Sequence, residues 1–167
     1  MPLFRHRKRQ RRSRSPPVAD VVPRQKRSQM MAGIKGKNTL PELALRRGLH
    51  ARGFRFRLHR RDIPGVPDLV FPSRQAVLFA HGCFWHHHSC HLFKWPSTRR
   101  EFWRDKIGRN VTRDESVAKD LSSQGWRVGV VWECALKGRT RRSLEEVLNE
   151  CVDWLKSDRN TMEITGR

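Results

Sequence analysis

Apolar residues recur along this chain at two spacings, and the switches between them mark its elements. Thr39-Leu-Pro-Glu42 has capping-box spacing with a proline tolerated in the first turn, and Gly53 can end the helix it opens. Phe54, Phe56 and Leu58 then alternate with Arg55, Arg57 and His59, the period of a half-buried strand. Pro64-Gly65 turns the chain into a second short strand, Asp68–Phe71, and Pro72-Ser-Arg turns it into a third, Ala76–Ala80. A second capping box, Thr98-Arg-Arg-Glu101, opens a helical region running to about Ser122, with a break expected near Gly108. Trp126–Trp132 is apolar enough for the interior of a sheet. Ser143-Leu-Glu-Glu146 caps a last helix, whose Leu144, Val147, Leu148, Cys151, Val152 and Leu155 keep the helical period. The order α-β-β-β-α-β-α predicts an α/β fold, a mixed central sheet flanked by helices.

The ends of the chain break this pattern. Residues 1–27 carry ten Lys/Arg against one Asp, too few apolar groups to offset the entropy of ordering. We read 1–26 as a disordered basic arm, either a nonspecific DNA contact or the product of a start codon upstream of Met30 and Met31. Residues 27–157 form the predicted folded domain and 158–167 a C-terminal tail.

Charge narrows the partner. With 167 residues and a formal net charge of +20, the chain calls for a polyanion. Nucleic acid is the first candidate, ahead of the RNA contacts of a ribosomal-type binder or an anionic membrane surface. No apolar stretch approaches the roughly 20 residues of a bilayer span. The N-terminus has no signal-peptide core, so a cytoplasmic protein is expected.

Chemistry concentrates in Phe79-Ala-His-Gly-Cys-Phe-Trp-His-His-His-Ser-Cys90. Cys83 and Cys90 bracket His86, His87 and His88, and mixed sulfur and imidazole donors favour zinc. Spacing alone does not choose among the three histidines. Cys134 is the best further ligand: it follows strand Trp126–Trp132 as Cys83 follows Ala76–Ala80, and a helical crossover makes those strands parallel. Four protein ligands make a structural zinc site. Cys151 lies on the apolar face of the last helix and reads as core.

Beside this loop, Pro67-Asp68 opens one strand while His81 ends the next, with His86 close behind. A carboxylate next to imidazoles suits Mg²⁺-assisted phosphodiester cleavage, Asp68 holding the cation and a histidine activating water or supporting charge. The residues alone give Glu42 only a capping role and Asp114 only a surface ion pair. Phe84, Trp85, Trp95 and Trp103 read as a roof over the core, or as wedges that unstack bases.

The run Phe79–Cys90 resembles the signature of the very short patch repair (Vsr) DNA mismatch endonucleases. Agreement extends over about residues 27–140, through Arg27-Ser28, Met31, Asn38-Thr39, Pro64-Gly65-x-Pro67-Asp68, Glu101-Phe102-Trp103, Arg113-Asp114 and Trp132-Glu133-Cys134. The resemblance implies a restriction-endonuclease-like fold and nicking 5′ to the T of a T:G mismatch left by deaminated 5-methylcytosine. It implies Mg²⁺ on Asp68 and on the backbone carbonyl of Ala80, His81 and His86 as catalytic imidazoles, Asp114 orienting His81, and Glu42 supporting the metal's waters. It implies structural zinc on Cys83, His88, Cys90 and Cys134. Phe84, Trp85 and Trp103 would form the wedge, with Met31 approaching the DNA, and His87 has no role. The implied partners are mismatched duplex DNA bound by a monomer, a DNA cytosine methyltransferase and downstream repair proteins. Position 80 is Ala where some relatives have Thr, and Met30 stands where Asn is usual. Phe79 and His81 occupy the places of the fold's acidic-x-lysine pair, so histidines must replace the lysine.

Overall fold

A computed structural model describes residues 36–167, together with Pro23, Gln25 and Lys26. Apart from those three positions, the expected arm 1–26 and Met31 lie outside the described residues.

Helix α1, Leu40–Ala51, starts at a complete capping box: Thr39 Oγ1 accepts from Glu42 N, and the Glu42 carboxylate accepts from Thr39 N. Three antiparallel strands follow: β1 (Arg57–Leu58), β2 (Leu69–Phe71) and β3 (Ala76–His81). Helix α2, Arg100–Ser123, crosses to β4 (Arg127–Trp132), which runs parallel to β3. A short α3 (Glu133–Leu136) and α4 (Leu144–Lys156) lead to β5 (Thr161–Ile164), parallel to β4. The sheet is mixed and five-stranded, in the order β1-β2-β3-β4-β5.

Strand alternation sends side chains to two cores. Leu69, Phe71, Leu78, Val131 and Ile164 meet Leu45 and Leu49 of α1 and Val147, Cys151 and Trp154 of α4. Val70, Val77 and Val128 face the other way, toward Leu121 of α2 and Ile63. Gly129 in β4 makes the first layer possible, because a Cβ there would lie 2.8 Å from Leu78 Cδ1 and 2.9 Å from Trp154 Cζ3. No helix among the described residues is long and apolar enough to cross a membrane.

Four sequence readings change. Residues 158–167 are not a tail outside the domain: they supply β5, whose Met162 and Ile164 are buried. Helix α2 runs unbroken through Gly108, since one exposed glycine costs only about 1 kcal/mol within a 24-residue helix. Thr98 does not cap it; Arg99 at φ 52° is the N-cap, with no side-chain bond. The strand expected over Phe54–Leu58 shrinks to β1, because β2 offers only three residues for pairing and Phe54 turns inward against Phe71.

Candidate functional site

The antiparallel pairing of β2 with β3 stops at Leu69↔Leu78, leaving the last residues of β3 without a strand partner on that side. The Asp68 side chain fills in: its Oδ2 accepts the Ala80 N–H at 2.8 Å. A cleft of about 450 Å³ opens at this edge, lined by Asp68, Ala80, His81, His86, Arg113 and Asp114 among others. Burial raises Asp68 above the usual carboxylate range, opposed by the Ala80 N–H and more weakly by His59 and Arg46.

Across the cleft, the chain leaves β3 in a tight turn, with Trp85 N and His86 N both donating to Gly82 O. The turn lays His86 flat on His81, with ring centroids 3.9 Å apart and planes 5° apart. His86 Nδ1 meets Asp114 Oδ2 of α2 at 2.5 Å. The hydrogen bond of Asp114 goes to His86 rather than His81, although ligand atoms of all three residues lie within 4.8 Å of one another. Burial, then the neighbouring His86, pushes His81 down to about 3, so its ring is neutral at physiological pH.

Below Asp68 lies a group that the alternating pattern hid. Glu42 is 2 % exposed and pairs through Oε1 with Arg46 one turn along α1. His59, read as an outward position beyond Leu58, places Nε2 3.1 Å from Glu42 Oε1 and Nδ1 3.9 Å from Asp68 Oδ1. Ligand atoms of Glu42, His59 and Asp68 all lie within 4.8 Å of one another. Burial, then the Arg46 guanidinium, lowers His59 below the ordinary imidazole value. The available sequence signal was Arg46 four residues after Glu42, a helix-face pair that only a buried partner makes informative.

Beyond this cleft, Cys83, His88, Cys90 and Cys134 bring one donor atom each within 4.8 Å of the others, a set that could hold a metal ion. The parallel register explains the meeting. His81 pairs with Trp132, and Cys83 and Cys134 each lie two residues further on. Backbone N–H groups of Cys134 and Gly166 donate to the sulfurs of Cys83 and Cys134, both at 3.3 Å, as suits thiolates. Burial pushes both thiols up, so a metal entering this site must displace their protons. The donor set and these N–H groups fit a tetrahedral cation. His88 stacks on Trp132 at 4.2 Å, and His87 instead packs its ring against Phe93 and Trp95.

On the outer side of the loop the aromatics touch one another. Phe84 lies 5.1 Å from Trp85 and 5.3 Å from Trp103, with the Lys106 ammonium 5.3 Å from the Trp85 ring. All three rings are only partly buried, and Phe102 beside them is exposed.

A family model described as "DNA mismatch endonuclease Vsr" matches residues 19–92. The type II nicking enzyme V.XorIIP of Xanthomonas oryzae pv. oryzae is 46% identical over 134 residues, 77% of this chain and 98% of that protein. The DNA mismatch endonuclease Vsr of Escherichia coli is 44% identical over 138 residues, 83% of this chain and 88% of that protein. The type II nicking enzyme V.NmeAIP of Neisseria meningitidis is 38% identical over 138 residues, 81% of this chain and 99% of that protein.

Proposed function

The chain belongs to the Vsr family of DNA mismatch endonucleases, and we propose that it nicks duplex DNA 5′ to the thymine of a T:G mismatch left by deaminated 5-methylcytosine. The observation that carries the reading is the single cleft shared by Asp68 and the Asp114-bound His86. One carboxylate is positioned for a cation and one imidazole for a proton.

Asp68, and Ala80 through its backbone carbonyl, would hold Mg²⁺, which supplies Lewis-acid stabilisation of the phosphate's developing charge. Asp114 keeps the His86 proton on Nδ1, so Nε2 is free to take a proton from the attacking water. His81, neutral and stacked on His86, fixes the plane of that ring and excludes water from its face. Cys83, His88, Cys90 and Cys134 would hold zinc, whose part is to fix the turn bearing His81 and His86. Phe84, Trp85 and Trp103 would enter the base stack beside the mismatch, where a weakly stacked pair is cheapest to distort. Asp68, just ahead of β2, beside Ala80 of β3 in a mixed sheet supports a restriction-endonuclease-like fold, and the net charge of +20 supports a duplex-DNA partner, which the chain would bind as a monomer. In the cell it would act in the cytoplasm, downstream of a DNA cytosine methyltransferase.

The test is nicking of a T:G duplex with Mg²⁺ by wild type and Asp68→Ala. Wild type should cut and Asp68→Ala should bind without cutting. A wild type that binds such duplexes but never cuts them would make the chain a zinc-stapled DNA binder. Trp85→Ala should lose preference for T:G over matched duplex more than overall affinity; equal losses on both would remove the wedge.

A further inference from the structure

The Arg46 guanidinium is the centre of the buried group beneath Asp68. Its Nη1 donates to Asn38 Oδ1 at 2.6 Å, and its Nη2 donates to Glu42 Oε1 and lies 2.6 Å from His59 Nε2. His59 Nε2 also lies 3.1 Å from Glu42 Oε1, but the nearer guanidinium has only donors and already pairs with that oxygen, so Nε2 accepts and the imidazole carries its proton on Nδ1. That Nδ1–H faces Asp68 Oδ1 at 3.9 Å, while Asp68 Oδ2 is taken by the Ala80 N–H.

Charge neutralisation does not explain His59. Arg46 already supplies the cation that the buried Glu42 requires, and an imidazole accepting from Arg46 adds no charge. The ring does supply a directed N–H toward the one carboxylate oxygen that the β3 backbone leaves unassigned. We propose that His59 is a positioning residue of the cleavage site: locked by Arg46 in one tautomer, it orients Asp68 Oδ1 toward a divalent cation. The inference rests on the reading that Asp68 holds that cation. At 3.9 Å the N–H acts on Oδ1, and on whatever ligand lies between, without a direct bond. Arg46 and Glu42 act one step further back, on the orientation of His59. Groups just outside a metal's ligands commonly set how those ligands are oriented.

The test uses zinc-loaded protein and Mn²⁺, whose binding is read by electron paramagnetic resonance apart from turnover. Asparagine keeps a side-chain donor near the Nδ1 position and alanine removes it. His59→Ala should bind Mn²⁺ about 10–100-fold more weakly and lower the single-turnover nicking rate to match, with metal-free duplex affinity held to about twofold. His59→Asn should recover most of both losses. Wild-type Mn²⁺ binding in His59→Ala, or equal losses in the two variants, would overturn the proposal. Asp68→Asn separates the two readings. If Asp68→Asn loses Mn²⁺ binding and His59→Ala does not, only the role of His59 falls. If Mn²⁺ binding survives Asp68→Asn, the cation reading falls and His59 with it.

Discussion

At the scale of single residues, the contact on which the proposed chemistry depends most is His86 with Asp114. A carboxylate on Nδ1 fixes the tautomer and leaves Nε2 to accept a proton, whereas an amide there allows the ring to turn its proton the other way. Asp114→Asn is therefore expected to slow single-turnover nicking by about 10²–10⁴-fold while duplex affinity holds. An unchanged rate would take the pair out of the mechanism. Cys83, Cys90 and Cys134 could be grouped from sequence because thiols are scarce and their spacing within a loop is short. Which imidazole joins them could not, since His86, His87 and His88 are consecutive and only the backbone turn separates their directions. His59 was hidden for a different reason. Its partners Arg46 and Asp68 come from other elements, and strand alternation past Leu58 pointed it at solvent.

Helices α1 and α4 decide how firmly the Glu42 end of the site is held. Gly48 lies in α1 where a Cβ would come 2.3 Å from Leu148 Cδ1 and 2.6 Å from Cδ2. Helix propensity alone favours Gly48→Ala by about 1 kcal/mol, but forcing the buried Leu148 aside costs about 1–3 kcal/mol. The packing term should win, and thermal unfolding followed by circular dichroism should show a melting temperature a few degrees lower; a rise would mean that Leu148 repacks freely. The boxes at Thr39 and Ser143 were legible because each precedes a clear apolar period. Thr98-Arg-Arg-Glu101 has the same spacing without effect, because α2 begins one residue late, with Arg99 as its N-cap, which puts Thr98 and Glu101 out of capping register. Strand β5 escaped notice because Thr161-Met-Glu-Ile is four residues long, and its burial alternates only once β4 stands beside it.

At the scale of the whole molecule, the sheet brings the proposed cation site and the Cys/His cluster to one edge, and the proposed zinc would tie that edge together. Elemental analysis should find one zinc per chain. Chelation should lower the melting temperature and leave Cys90, the half-buried ligand thiol, the first to react with a disulfide reagent. Cys151 should stay silent until the chain unfolds, since burial pushes its thiol up to about 12. Four thiols reacting in the folded, chelated protein would contradict this account of the core. Layering and fold class were legible from hydrophobic period, and the polyanionic partner from charge. The completeness of the sheet was not, because it depends on residues beyond the last strongly apolar helix. That late strand also sets an order of events during synthesis. β4 is finished at Trp132, but its outer edge stays bare until Thr161–Ile164 have been made. At ribosomal speeds that interval lasts roughly two to six seconds. Through it an apolar parallel strand is open to pairing with a neighbouring nascent chain. The Gly166 N–H that donates to Cys134 follows β5, so the proposed metal edge is completed only after every strand of the sheet has been translated.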